Sequence, residues 1–145
     1  MKISGIILLI GLVILGVYNN LPLTKNKVKY ELCGQIFYLD ELRSQKEQAK
    51  GLMNIKELKD NEGAIFINEK PKEMSFWMKN TLIPLDIGFF MGEDLILHHS
   101  MKTQIDVKDS DLKRYGTRPY EVTSAVEVNI GFFDDKYPCK LKKLD

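Results

Sequence analysis

Apolar residues are spread along this chain in two distinct textures. Residues 3–18, from Ile3 to Tyr18, carry no charge, and Leu21, Pro22 and Leu23 prolong the run past two asparagines. As a helix such a stretch reaches about 24 to 32 Å, close to the thickness of the bilayer's hydrocarbon core. A secretory signal would use Lys2 as its basic end, but only Gly16 is small where cleavage would fall. The pattern therefore predicts an uncleaved transmembrane anchor over 1–23, with a cleaved signal as the alternative. A linker at 24–29 and a domain at 30–145 follow.

Beyond the linker the apolar runs are short and are divided by turn residues. Val28 to Tyr38 alternates as one strand with Ile36 and Phe37 as core positions, and Asp40 can cap a helix over Glu41 to Lys50 that Gly51 ends. A helical turn at Ile55 to Leu58 is expected next. From Gly63 onward the spacing is that of strands: Ala64–Ile67, Ser75–Lys79, Leu85–Phe90, Leu95–Ser100, Ser124–Asn129 and Cys139–Leu144. Met91-Gly92-Glu93-Asp94 reads as a hairpin turn. Lys102 to Pro119 reads as a long charged loop with a helical turn at Ser110–Lys113 and a Tyr115-Gly116 turn. The fold class expected is mainly β, a compact antiparallel sheet or small barrel with one or two short helices, preceded by the anchor.

Charge narrows the partners. Four of the 21 basic residues, Lys2, Lys25, Lys27 and Lys29, precede residue 30, which leaves the domain 17 basic against 20 acidic side chains and a net charge of −3. Nucleic acid is excluded as an expected partner. Lys25, Lys27 and Lys29 can touch lipid phosphates or form a solvated linker. Cys33 and Cys139 are the two cysteines, one near each end of the domain. They are a possible disulfide if the domain lies in an oxidising compartment, and two buried thiols otherwise. Their spacing is not that of metal ligands. His98 and His99 are adjacent and would face opposite ways on a strand, so no metal or cofactor is expected.

The richest stretch is Ser75 to Asp86, which sets the single tryptophan among polar groups. Strand alternation would put Trp77, Lys79 and Thr81 on one face and Phe76, Met78 and Asn80 on the other. This block resembles the F-W-M-K-N-T signature, with its following Pro-Leu-Asp, of the domain-of-unknown-function family 192. Gly51-Leu52-Met53, Gly63-Ala64-Ile65-Phe66, Tyr115 and Val126-Glu127-Val128 with Gly131 resemble further blocks of that family in order. The chain departs from the family's common arginines at Ile55, Gln48 and Lys50, and from a common cysteine near Asp111 and Leu112. The resemblance implies a small, mainly β domain, often found behind a signal peptide or membrane anchor, with no established enzymatic activity.

Ligand-binding candidates are Trp77, Lys79, Asn80, Thr81 and Asp86, with Tyr115 and Glu127 as companions from the shared blocks. Tryptophan offers a flat surface for a sugar ring or a cation, and the polar groups can orient a ligand. Met53 and Met78 can line the same pocket or fill core. The expected function is a membrane-tethered binding or accessory module outside the cytoplasm, held by residues 3–23, with an envelope glycan or protein as partner. One alternative is an extracytoplasmic hydrolase using Lys79 with Asp86 or Glu127. Another is a scaffold in which Trp77 fills the core and Lys79 pairs with one of those carboxylates. No nucleophile elbow, phosphate loop or zinc-protease motif is present, so no catalytic residue is assigned.

Overall fold

A computed structural model describes residues 27–145, and the anchor expected at 1–23 lies outside them. Among the described residues no helix is long and apolar enough to cross a membrane. The elements are β1 (Val28–Leu32), β2 (Gln35–Leu42), α1 (Gln45–Lys50), β3 (Glu62–Lys72), β4 (Ser75–Phe76), β5 (Leu85–Met91), β6 (Asp94–Met101), a 3-10 turn (Asp109–Asp111), β7 (Tyr115–Gly116), β8 (Val122–Asn129) and β9 (Leu141–Lys143). A seven-stranded sheet runs in the order β6-β5-β8-β3-β2-β1-β9, and β4 pairs separately with β7. All pairings are antiparallel except β2 with β3. That parallel pair needs a crossover, which the segment carrying α1 supplies.

The sheet curls into a half-barrel. Its edge strands meet at one end, where Leu95 N–H donates to the Cys139 carbonyl at 3.1 Å and Leu141 N–H to the Glu93 carbonyl at 2.8 Å. An antiparallel bridge between Asp94 and Lys140 lies between these bonds, and the two side chains also form an ion pair. Part of each exposed edge is thereby satisfied, which removes a template for unwanted strand pairing.

Several sequence expectations need correction. Val28 to Tyr38 is a hairpin, not one strand, because Cys33 and Gly34 both take positive φ, 47° and 80°, and turn the chain between β1 and β2. β1 already includes Val28 and Lys29, which were assigned to the linker. In β2 the core position is Phe37, while Ile36 is 40% exposed. Asp40 and Glu41 belong to that strand, so the helix starts later. Ser44 caps it, accepting the Glu47 N–H at 3.1 Å while the Glu47 carboxylate accepts the Ser44 N–H at 3.1 Å. This is a reciprocal capping box. No helical turn forms at Ile55–Leu58, and Tyr115-Gly116 is strand β7 rather than a turn. The helical turn near Ser110 is the 3-10 segment Asp109–Asp111.

Two cores sandwich the sheet. Ala64, Phe66, Ile87, Phe89, Met78 and Tyr115 pack on one face. Phe37, Leu39, Phe90, Val126, Val128 and Phe133 pack on the other. Every residue of β5 from Leu85 to Phe90 is buried, as expected for a central strand covered on both sides. Near the edge, Glu41 ties β1, β2 and β9 together. It accepts from Tyr30 Oη at 2.6 Å and Lys143 Nζ at 2.8 Å, with Arg43 at 3.2 Å. Burial works against its charge, but these hydrogen bonds outweigh it and hold the carboxyl at about 2.

Cys33 and Cys139 are joined in a disulfide, with Cα atoms 4.4 Å apart across a sequence separation of 106 residues. It fastens the β1–β2 turn to the approach of β9, beside the hydrogen bond from Cys33 N–H to the Lys140 carbonyl at 2.9 Å. Closing a loop of that length removes about 4 to 5 kcal/mol of unfolded-state freedom in the chain-entropy model. Urea unfolding of the oxidised and fully reduced protein should differ by several kcal/mol. Coincident transitions, or free thiols on alkylation of protein from its native compartment, would reject the bridge.

Candidate functional site

The first turn after β4 decides what the signature stretch becomes. Strand geometry ends at Phe76, and the chain turns at Asn80, whose φ is 51°. The expected alternation therefore fails beyond Met78. Thr81 swings inward and is buried, with its N–H donating to the Met78 carbonyl at 3.2 Å and its hydroxyl to the Lys79 carbonyl at 3.1 Å. Asn80 is exposed, and its carbonyl accepts the Asn54 N–H at 2.9 Å. Met78 is core.

Trp77 is half-buried, neither core nor freely exposed. Two cations lie over its ring: the Arg114 guanidinium at 4.1 Å from the centroid and the Lys79 ammonium at 5.2 Å. Such contacts hold the indole by attraction to its π face. Lys79 forms its ion pair with Asp109 at 2.6 Å, not with Asp86 or Glu127. That pair is solvent-exposed and worth little stability.

The two candidate carboxylates, Asp86 and Glu127, occupy opposite faces of the sheet. Asp86 pairs in register with Val128, whose side chain belongs to the Phe133 core. It is fully buried and satisfied: Ser100 Oγ donates to one oxygen at 2.8 Å and the Phe133 N–H to the other at 3.0 Å. Glu127 pairs with Ile87 and Ala64, on the Phe66 face. It is 5% exposed and makes no hydrogen bond or ion pair to any described residue, and its oxygens are not among the fully enclosed, unpartnered polar atoms. Burial alone pushes its carboxyl up to about 8. At neutral pH the group is mostly protonated and can donate.

Glu127 borders a cavity of about 320 Å³, whose walls include Leu52, Met53, Phe66, Met74, Trp77 and Thr81. The cavity thus brings together three of the sequence candidates, Trp77, Thr81 and Glu127, and adds Met53. Lys79 and Asn80 border a separate hollow of about 180 Å³. Tyr115 is buried behind the site, where β7 pairs with β4 and its ring lies 5.8 Å from that of His99. His99 bonds the Gly116 carbonyl at 3.0 Å, while His98 lies on the opposite side near Phe133 and Tyr137. Among the described residues no cluster of three His, Cys, Asp or Glu side chains could hold a metal.

Arg114 is a candidate side chain of the cavity that sequence reasoning missed. It sat within an apparently featureless charged loop, and the pairing that holds it, β7 with β4, is too short to leave a periodic trace.

Residues 28–137 match the family DUF192, described as "Uncharacterized ACR", and the chain belongs to that family. Among solved structures it is similar to a protein of unknown function from Novosphingobium aromaticivorans DSM 12444. That likeness has 28% identity and a TM-score of 0.68, covering 83% of this chain and 89% of the other. It is also similar in fold to a Sinorhizobium meliloti 1021 protein whose name proposes a role in transcription regulation. There the identity is 19% and the TM-score 0.71, covering 84% of this chain and 97% of that one. No curated protein matches the chain.

The two buried carboxyls should respond oppositely to substitution. Asp86→Ala orphans the Phe133 N–H and the Ser100 hydroxyl, and should cost about 1 to 3 kcal/mol for each donor left unsatisfied. Glu127 holds its proton in the folded state but loses it near 4.5 when unfolded. Stability should therefore fall as pH rises from about 5 to 8, with a slope approaching about 1.4 kcal/mol per pH unit, and level off above. Glu127→Gln should flatten that limb and melt higher than the parent at pH 8. Parallel melting curves for the two proteins across this range would show that Glu127 is not the buried acid.

Proposed function

We propose that this protein is a membrane-tethered binding module working outside the cytoplasm, anchored through residues 3–23 and using the cavity between Trp77 and Glu127 to take its ligand. One observation carries the reading: Glu127, a largely buried acid with no partner among the described residues, stands at the edge of a cavity lined by both apolar and polar side chains. Its oxygens are not fully enclosed, so water in the cavity can meet them until a ligand group takes its place. A fold that keeps it beside an open cavity is suited to a ligand that supplies the missing partner. The volume is at the small end of the ligand-site range of about 300–1,000 Å³. The half-buried indole, held by the Arg114 and Lys79 cations over its ring, gives a flat wall that suits a ring from an envelope glycan or a side chain from a partner protein. Membrane location rests on the uncharged run at 3–18, and an oxidising compartment is consistent with the Cys33–Cys139 bridge.

The hydrolase alternative gains nothing from the arrangement of the side chains. Lys79 is engaged with Asp109, and Asp86 faces the other core, so the acid and base it requires do not converge on one position.

Full-length protein recovered from membranes should capture a defined envelope glycan or protein, and Trp77→Ala or Glu127→Ala should reduce that capture at least tenfold while both variants remain folded by thermal melt. Retention of the same captured set by both variants would rule the cavity out as the binding site. Protease added to intact spheroplasts should degrade the domain. Protection until the membrane is lysed would reverse the orientation.

A further inference from the structure

We infer that the cavity takes a small organic anion with an apolar body, its acidic group accepting a hydrogen bond from Glu127 and facing the cations Lys50, Lys72 and Arg114. This rests on the binding reading above and specifies its ligand.

Three features of the cavity combine. Part of its wall is apolar, made by Leu52, Phe66, Met74 and Phe76 beside polar groups such as Gln48 and Thr81, so an apolar ligand body gains by leaving water against that part. Its border is cationic: Lys50 at the end of α1, Lys72 at the end of β3, and Arg114 before β7 all line it. None of these three has a carboxylate partner among the described residues. Besides Glu127, the acid lining the cavity is Glu73, which stands 3.9 Å from Arg118. The third feature is Glu127 itself, which has no partner among the described residues and lines the same cavity.

A simple organic cation would enter past three like charges to reach a group that is neutral when protonated. A neutral molecule would satisfy Glu127 but leave the cations with water. An anion satisfies both, because a carboxyl–carboxylate hydrogen bond is charge-assisted and therefore strong. Arg114 also has a suitable fork for a planar acid group, and its stacking on Trp77 limits the rotamers that must be frozen on binding.

The arrangement fixes the sign of the pH dependence. Glu127 must keep its proton to donate to an anion, so binding should weaken as pH rises past about 8. Two other titratable side chains stand on the same ladder. His99, across Ile87, bonds the Gly116 carbonyl, and Asp40, across Ala64, pairs with Lys27 at 3.3 Å through one oxygen while the other, Oδ1, is buried without a partner among the described residues. Lys50, Lys72, Glu73 and Arg114 complete the charged set on the cavity.

Trp77 is the only tryptophan and borders the cavity, so its fluorescence reports occupancy directly. The probes are hexanoate, which is ionised throughout, hexylammonium and hexanol, titrated at pH 6 and pH 9. Hexanoate should saturate the signal at pH 6 and bind about tenfold more weakly at pH 9, one unit above the Glu127 titration. Glu127→Gln should abolish that pH dependence, which separates Glu127 from His99. Arg114→Ala should weaken hexanoate at both pH values while its melt matches the parent. Preference for hexylammonium or hexanol, tighter hexanoate binding at pH 9, or an unchanged pH profile in Glu127→Gln would each overturn the anion assignment and leave the cavity a binding site. Failure of all three probes would overturn the anion assignment alone, since the binding reading is decided by capture from membranes.

Discussion

Coverage of β5 and β8 on both faces is the constraint from which the other features of this domain follow. A strand in that position has no solvent face, so each side chain on it must be apolar, absent or individually satisfied. β5 meets the demand with Leu85, Ile87, Phe89 and Phe90, and with Gly88, where an added Cβ would sit 2.5 Å from the Phe133 ring. That empty space lets Phe133 lie close over the sheet. Its backbone N–H then reaches Asp86, so one local substitution pattern, Asp-x-Gly, docks the segment after β8 onto the second core.

Glu127 breaks the rule that Asp86 obeys. Both are acids on central strands, one residue pair apart in the β5–β8 ladder, yet they point to opposite faces because neighbouring ladder positions alternate. Asp86 finds two donors waiting in a filled core. Glu127 finds a hollow, because α1 and the turn after β4 roof this face incompletely. The unsatisfied carboxyl and the unfilled space are thus two aspects of one packing decision. The cations around the opening share the same origin, since Lys50, Lys72 and Arg114 stand where three separate segments end against the hollow.

Much of the fold could be read along the chain. The runs Ala64–Ile67, Leu85–Phe90, Leu95–Ser100 and Ser124–Asn129 all lie within strands, and Gly92 turns the β5–β6 hairpin with a φ of 59°. These elements succeed because period, burial and turn chemistry agree locally. Where they disagree, the reading failed. Cys33-Gly34 carried no apolar break, so the first hairpin looked like one strand; Asp40 resembled a cap because its chemistry suits one, although Ser44 with Glu47 fits better. The parallel neighbour of β2 left no mark either, since strand direction depends on where the intervening crossover travels.

For the site, composition and order alone determined the family blocks, the presence of one indole among polar groups, and the acid on an otherwise apolar run at Val126-Glu127-Val128. Those are properties of covalent sequence, fixed before any folding. Only the tertiary structure decided that Asp86 and Glu127 face apart, that Lys79 turns to Asp109, and that Arg114 arrives over Trp77 from a loop 37 positions away. Each of those outcomes depends on which surfaces are brought together across the sheet. Short-range pattern carries no information about such long-range packing, because the desolvation that gives Glu127 its character comes from neighbours distant in the chain.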